Sequence, residues 1–269
     1  GYSNGTNAPD GTIRNNGQFN VESGSQGYAG GPFVWSNGGY GLLVDSDGGK
    51  ITTGDNTLEY SGISKKDAEY FIIVGDPETI AKGLSEASGK TPMYPKWAMG
   101  YTNTQWGWPG TGTVESQVKE VIGTYRSKNI PIDNFCFDFD WKEWGKLSDY
   151  GEFTWDSTDF PSAASGELKK WQEENGMHFT GIVKPRIFTG KENGKDTAEY
   201  AAMKAGGFIN SRGERGSDYC ASKDYVPIDN STQAGRDFWW DCTSRAFEKG
   251  LYGYWNDEID HCNGFGNYD

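Results

Sequence analysis

The chain has 269 residues, of which 38 are acidic and 25 are basic, and its formal net charge is −13. A chain of this length can bury a substantial core, but so large an excess of carboxylates repels phosphate backbones and anionic lipid surfaces, so neither nucleic acid nor a membrane is an expected partner. The four Cys form no close pairs and only two His are present, a composition that predicts neither a metal centre nor a cofactor.

The first ninety residues predict short strands separated by turns. The candidate strands lie in the segments PFVWS, GGYGLLVDSDGG, ITTGDNTLEYSG and AEYFIIVGD. Gly-Gly, Asp-Gly and Gly-Asp pairs punctuate them, which is typical of an antiparallel sheet or sandwich. The segment ETIAKGLSEASGK then predicts a helix that ends at Gly89, and TPMYPK predicts a linker.

Beyond residue 95 the sequence alternates between strands and helices. Candidate strands lie in WAMGY, NIPIDNFCFDFDW, MHFTGIVKPRIF and LYGYWND. The first helix carries one apolar stripe, formed by Val114, Val118, Val121, Ile122 and Tyr125. Gly176 stops the next helix, SGELKKWQEENG. A longer helix is expected to begin at the segment NST, whose first residue is Asn230, and to end at Gly250. Four such alternations imply an α/β fold with a parallel sheet, either open and doubly wound or curled into a barrel.

The second and third strands carry charged residues opposite an apolar face. In FCFDFDW the three Phe point to one face, which suits covering helices, and the other face carries Cys136, Asp138 and Asp140. Lys184 and Arg186 likewise share a face of the third strand. Charges inside a sheet are costly unless they are paired. Two interpretations of Asp140, Lys184 and Arg186 therefore stand: a structural ion-pair network, or charges that the protein needs for its function.

The fourth strand ends in the acidic stretch GYWNDEID. Trp255 and Asp257 share one face there, and the other face carries Asn256, Glu258 and Asp260. Carboxylates at the carboxyl ends of parallel strands lie where barrel enzymes assemble their active sites. A solvated acidic loop is the alternative interpretation of the same residues.

Five separated motifs, in this order, resemble glycoside hydrolase family 31. They are GYAGGPFVWSNGGYGLLVDS, YFIIVGDPETIAKGLSEASGKTPMYPKWAMGY, YRSKNIPIDNFCFDFDW, FTWDSTDFPS and GYWNDEID. The resemblance implies a retaining α-glycosidase or transglycosylase with a β-sandwich ahead of a (β/α)8 TIM barrel. Residues 1–90 are then expected to be the C-terminal part of the N-terminal β-sandwich domain, and residues 91–269 the first half of the catalytic barrel.

The resemblance also implies roles for individual residues. The family's aromatic-Trp-x-Asp pattern matches the segment that ends in Asp257, which makes Asp257 the expected nucleophile. Asp138 matches a residue that hydrogen-bonds sugar hydroxyls, with Asp140 as its neighbour and Trp141 as a wall of the pocket. The other expected substrate-binding residues are Lys184, Arg186 and Trp255.

The acid/base of the reaction is not assigned to any residue of this chain. In the family this Asp lies on a loop well beyond the fourth barrel strand, so it is expected beyond residue 269. Glu258 is a poor substitute, because neighbouring residues of a strand point to opposite faces. A complementary chain or a second copy that supplies the rest of the barrel is the corresponding expectation. Where the family often has Asn and then Glu after the nucleophile, this chain has Ile259 and Asp260, which leaves the preferred sugar open.

Three functions are compatible with these residues. The first is hydrolysis of α-glucosides or α-glucan oligosaccharides through a covalent glycosyl-enzyme intermediate, with transfer of a glucosyl or isomaltosyl unit to another sugar as its alternative. The second is a non-catalytic carbohydrate-binding fragment, and the third is a purely structural or interaction fragment. Many enzymes that act on polymeric α-glucans are secreted, which favours an extracellular location.

Overall fold

The computed structural model describes residues 2–3, 18–20, 33–45, 50–53, 58–61, 69–105, 114–142, 153–189, 191–192, 195–211, 216–218 and 223–257. The chain divides into two compact units, Gly1–Met93 and Tyr94–Tyr268. The boundary falls within the segment TPMYPK, and each unit has its own sheets and its own core.

The first unit contains two antiparallel sheets. Its strands are β1 (Tyr2–Ser3), β2 (Gln18–Asn20), β3 (Phe33–Ser36), β4 (Tyr40–Asp45), β5 (Lys50–Thr53), β6 (Leu58–Ser61) and β7 (Glu69–Val74). One sheet has the order β1-β3-β4-β7 and the other the order β2-β5-β6. Val34 of the first sheet and Ile51 of the second are buried in one cluster. The two sheets therefore pack face to face as a sandwich.

One helix follows these strands, α1 (Pro77–Ser88). Asp76 caps its N-terminus, because the carboxylate accepts a hydrogen bond of 2.8 Å from the backbone N–H of Thr79. The helix ends at Gly89, whose φ of 95° lies in a region that favours glycine. The predicted helix and its predicted end are both confirmed.

The second unit is built on a four-stranded parallel sheet. Its elements in chain order are β8 (Thr102–Gln105), α2 (Val114–Ser127), β9 (Asn134–Phe137), α3 (Glu167–Glu174), β10 (His178–Val183), β11 (Arg186–Phe188), β12 (Lys191–Glu192), β13 (Lys195–Asp196), α4 (Ala198–Gly206), β14 (Gly216–Asp218), β15 (Lys223–Pro227), α5 (Gln233–Glu248) and β16 (Gly253–Asn256). The parallel sheet has the order β8-β9-β10-β16, and α2, α3 and α5 lie in its three crossovers. Among the helices that the structure describes, none is long and apolar enough to cross a bilayer.

The crossover helices cover one face of the parallel sheet. Phe135 and Phe137 of β9 and Phe179 of β10 are buried on this face, in one cluster with residues of all three helices: Val118, Ile122, Leu168 and Ala246. The rings of Phe137 and Phe179 meet edge to face with 5.2 Å between their centroids. The predicted apolar face of the second strand is confirmed, and the opposite face of the sheet is left for polar side chains.

The prediction for the first barrel strand is wrong. The apolar segment at Trp97 forms a 3-10 helix, Lys96–Met99, and β8 begins later, at Thr102. The strand itself reads TNTQ, so it has no apolar periodicity from which the sequence could reveal it. The alternation of the second strand also stops early, because Phe139 lies in the 3-10 helix Phe139–Trp141.

The third strand is shorter than predicted. It ends at Val183, and Pro185 breaks it because proline has no N–H to donate to a sheet. The next strand, β11, pairs with β15 in a separate antiparallel sheet of order β11-β15-β14. Lys184 therefore follows one sheet and Arg186 begins another, so the two do not lie on one strand face.

An insertion occupies the chain between β10 and α5. It contains β11 to β15 and helix α4, which the sequence did not predict. Its two ends meet, because the N–H of Ile228 donates a hydrogen bond of 3.1 Å to the carbonyl of Pro185. Its buried side chains include Ile187, Met203 and Val226, which belong to one cluster. The insertion therefore begins and ends at neighbouring positions in the structure.

Candidate active site

Three charged side chains lie at the carboxyl ends of adjacent parallel strands. Asp138 follows β9, Lys184 follows β10 and Asp257 follows β16. The N–H of Asp257 donates a hydrogen bond of 3.0 Å to the carbonyl of Val183, which continues the strand pairing by one residue. Because β10 lies between β9 and β16, Lys184 lies between the two carboxylates.

Lys184 and Asp257 form an ion pair. The distance from Lys184 Nζ to Asp257 Oδ2 is 3.5 Å, and the two side chains are 4% and 28% exposed. An ammonium group buried this deeply is costly without a counter-charge. The pair therefore stabilises Lys184 in place, while Asp257 stays open to solvent on one side.

Asp138 is half-buried and its environment favours the protonated form. Burial raises the pKa of its carboxyl group, and the negative charge of Asp257 raises it further. A hydrogen bond from the N–H of Phe139, at 2.8 Å, and the positive charges of Lys184 and Lys142 act in the opposite direction. Two carboxyl groups thus share one edge of the sheet with a cation between them.

Trp255 crosses the sheet beside these charges. Its indole Nε1 donates a hydrogen bond of 3.1 Å to the carbonyl of Phe137, so the side chain reaches from β16 past β10 to β9. It remains 37% exposed. The indole joins the ends of the strands that carry Asp257 and Asp138, and part of its surface is available to a ligand.

Hydroxyl and amide groups line the polar face below the site. Asn134 Nδ2 donates to Thr180 Oγ1 at 2.9 Å and to Thr102 Oγ1 at 3.3 Å, which links three strands. Cys136 is held between Thr180 and Thr104, and burial raises the pKa of its thiol. These contacts fix the strand register under the carboxylates. Cys136 was a predicted member of this face, whereas Asn134, Thr102, Thr104 and Thr180 were not, and Thr102 and Thr104 belong to the polar strand TNTQ, which has no apolar alternation.

Trp141 does not lie where the sequence predicted. Its side chain is 0% exposed and belongs to the core on the helix-covered side of the sheet. Its Nε1 donates a hydrogen bond of 3.1 Å to the carbonyl of Ile182, and its ring lies 5.4 Å from that of Trp155. A Cβ at Gly181 would overlap the indole, so the chain has glycine where this ring packs on the strand. Trp141 therefore supports the strands from within the core, with none of its side chain exposed.

Arg186 follows Pro185 and is the first residue of β11. It is buried in the insertion, where its guanidinium lies 4.2 Å from the ring centroid of Tyr225. Lys184 pairs with Asp257 of the fourth strand, and the predicted network of Asp140, Lys184 and Arg186 stays a prediction because the side chain of Asp140 lies outside the described part of the structure. Lys142, buried beside Asp138, is a charged neighbour that the sequence analysis missed.

Several predicted residues have no described side chain. Asp140 belongs to the 3-10 helix Phe139–Trp141, but its side chain lies outside the described part of the structure. Glu258 and Asp260 lie outside the described residues altogether. Within the described ranges, no group of three or more His, Cys, Asp and Glu side chains is arranged to hold a metal ion.

Comparisons with known proteins agree with this architecture. The family model described as the TIM-barrel domain of glycosyl hydrolases family 31 matches residues 91–268. A 1,6-alpha-glucosyltransferase of Sporosarcina globispora is 37% identical over 253 residues, which are 90% of this chain and 19% of that protein. An alpha-xylosidase of Saccharolobus solfataricus is 29% identical over 87% of this chain and 29% of its own length. The chain therefore spans less than a third of either curated relative.

Solved structures share the fold. A family 31 alpha-glucosidase from Bacteroides thetaiotaomicron aligns with a TM-score of 0.70 at 22% identity, over 91% of this chain and 42% of that one. A family 31 dextranase from Flavobacterium johnsoniae aligns with a TM-score of 0.70 at 20% identity, over 90% of this chain and 30% of the dextranase. Together with the family match, these alignments confirm the predicted fold class, part of a β-sandwich followed by the first half of a (β/α)8 barrel.

Proposed function

The chain belongs to glycoside hydrolase family 31, and from that premise we propose that it carries the nucleophile of a retaining α-glycosidase that acts on α-glucosides or α-glucan oligosaccharides. The observation that carries the proposal is Asp257, a carboxylate that ends the fourth parallel strand, is 28% exposed and has an ammonium group 3.5 Å away. Barrel enzymes bind substrate at this end of their strands.

In the proposed reaction, a carboxylate oxygen of Asp257 attacks the anomeric carbon of the sugar. The bond from that carbon to the leaving oxygen breaks, and the leaving oxygen takes a proton from an acid that we assign to no described residue. Water then attacks the same carbon and gives a proton back to the deprotonated acid, while the bond from that carbon to Asp257 breaks and frees the carboxylate. The negative charge of Asp257 also stabilises the positive charge that develops on the sugar ring.

The neighbouring groups fit a sugar as the ligand. Asp138 supplies a carboxyl that can accept or donate hydrogen bonds to sugar hydroxyls, and the exposed part of Trp255 offers an aromatic face to the C–H side of a ring. Structures of the Flavobacterium johnsoniae dextranase are described as complexes with glucose and with isomaltotriose, which supports α-linked glucose units as the substrate class for this chain.

The test is an intact-mass measurement of the protein, at its natural length, after incubation with 5-fluoro-α-glucosyl fluoride. The fluoride leaving group needs little help from an acid, so the probe reports on the nucleophile alone. We expect one covalent sugar that maps to Asp257 and is absent from Asp257→Ala. Asp237→Ala, an exposed aspartate on α5, is the matched control and should still be labelled. Labelling that persists in Asp257→Ala contradicts the proposal.

Glucosyl transfer is the second candidate, because the relative with 37% identity is named a 1,6-alpha-glucosyltransferase. Both reactions pass through the same intermediate and differ in whether water or a sugar hydroxyl attacks it. Turnover of α-glucosyl fluoride with and without isomaltose distinguishes them. Free glucose as the sole product supports hydrolysis, whereas a trisaccharide one hexose heavier than isomaltose supports transfer.

A further inference from the structure

Two consecutive residues at the end of β10, Val183 and the Lys184 that follows it, contact Asp257. The carbonyl of Val183 accepts a hydrogen bond of 3.0 Å from the backbone N–H of Asp257. The next residue, Lys184, places its ammonium 3.5 Å from the carboxylate of the same Asp257. One contact fixes the backbone and the other fixes the side chain.

Lys184 is itself held firmly. Its carbonyl accepts a hydrogen bond of 2.7 Å from the N–H of Arg186, across Pro185, and proline restricts the backbone in this tight turn. The side chain is only 4% exposed, so it lacks the rotamer freedom of a surface lysine. The ammonium group therefore has a fixed position relative to the carboxylate of Asp257.

We propose that Lys184 is a positioning residue for the nucleophile, and not a group that binds the sugar. This inference rests on the proposed function of Asp257. The ammonium engages Oδ2 and leaves Oδ1 as the atom that attacks the anomeric carbon. Because a misplacement of about 1 Å at a reacting centre can reduce a rate about 100-fold, the contribution of Lys184 falls on the rate of attack and not on sugar affinity.

The experiment separates these two quantities. The rate constant for covalent labelling by 5-fluoro-α-glucosyl fluoride, and the probe concentration at half-maximal rate, are measured for the full-length protein and for Lys184→Met and Lys184→Arg. We expect Lys184→Met to lower the labelling rate constant roughly 10- to 100-fold, with the half-maximal concentration nearly unchanged. Lys184→Arg keeps the charge and should recover most of the rate.

A matched control is available on helix α2, where Lys119 forms an ion pair with Glu115 away from the site. Lys119→Met removes one lysine charge from a carboxylate pair and should leave both labelling quantities unchanged. Should Lys184→Met not fold by circular dichroism, Lys184→Gln replaces it, and the same separation of rate from affinity is expected.

Three results overturn the inference. A higher half-maximal concentration with an unchanged rate constant means that Lys184 binds the sugar. An unchanged rate constant in Lys184→Met means that the ion pair has no part in the reaction. A loss in Lys184→Arg as large as that in Lys184→Met means that the charge is not what matters. The proposed function fails separately, if the unmodified protein gains no sugar at Asp257.

Discussion

Asp138 binds its proton more tightly in the folded protein than a free aspartate does, because burial and the charge of Asp257 raise its pKa. Between the ordinary carboxyl value and the raised one, the folded state holds more protons than the unfolded state. The free energy of unfolding therefore decreases as the pH rises through that window. Asp138, which we propose to contact sugar hydroxyls, thus reduces the stability of the fold at neutral pH.

Asp138→Asn should make the protein more stable at pH 7, by about 1 kcal/mol or less because water screens a half-buried group. The amide oxygen can still accept the hydrogen bond from the N–H of Phe139, so the cap of the 3-10 helix is kept. Urea denaturation at pH 7 and at pH 3.5 measures the difference, which should vanish at the lower pH where Asp138 is protonated. An Asn variant that is less stable at pH 7 contradicts this account.

Trp255 makes a second residue-level prediction. Trp255→Phe keeps an aromatic ring but removes the hydrogen bond to the carbonyl of Phe137, which should lower the free energy of unfolding by about 1 kcal/mol. Labelling of Asp257 should slow as well, because the end of β16 loses its tie to β9. Trp240→Phe, on the exposed side of α5, is the control and should change neither quantity. Equal behaviour of the two variants would remove the structural role given to Trp255.

At the level of elements, helices were predictable where the sequence marks their ends. Gly89, Gly176 and Gly250 stop α1, α3 and α5 at or just beyond the residues where the structure ends them. Thr232 opens α5, since its hydroxyl accepts a hydrogen bond from the N–H of Gly235. These signals are local, so they predict a helix end without knowledge of the tertiary structure.

Strands were predictable only where they are apolar. The Phe residues of β9 indicated which face of the strand is buried. The polar strand β8 gave no such signal, so the first strand was wrongly predicted at the apolar segment that forms a 3-10 helix. Helix α4 was missed although Thr197 caps its N-terminus and Gly207 follows its last residue in the left-handed region. The carboxylates at 138 and 257 could be found from strand alternation, but the pairing of Lys184 with Asp257 depends on strand order in space, which no local pattern contains.

The strand β10 offers a sharp test of how Trp141 packs. Gly181→Ala adds a Cβ that would overlap the buried indole, so we expect a loss of about 1–3 kcal/mol in the free energy of unfolding. Gly123→Ala, in α2, meets nothing within 4 Å and should instead add up to about 1 kcal/mol, because alanine favours helix over glycine. Urea denaturation of both variants checks the pair, and a stabilising Gly181→Ala would show that the indole does not rest on this strand.

At the level of the whole molecule, the two units have separate cores and the segment that connects them is exposed to solvent. The segment from 89 to 95 is exposed throughout, so trypsin should cut after Lys90 well before it cuts after Lys119, which lies in helix α2. Mass spectrometry of a brief digest would then find two fragments, one that ends at Lys90 and one that begins at Thr91. Thr91→Pro, which blocks the bond to trypsin, should abolish these two fragments. Cleavage after Lys119 while Lys90 stays intact would contradict the exposure of the segment.

The closed ends of the insertion bear on how such a protein can diversify. The 3.1 Å hydrogen bond between Pro185 and Ile228 fixes the gap that residues 186–227 have to bridge. A replacement segment has to close the same gap and also supply apolar side chains that pack with Val183 and Cys242. Length and sequence can change there by recombination while Lys184 and Asp257 keep their geometry. Under the proposed function, the break after β10 is a point where an inserted segment can add contacts with a distant part of the substrate without changing Lys184 and Asp257.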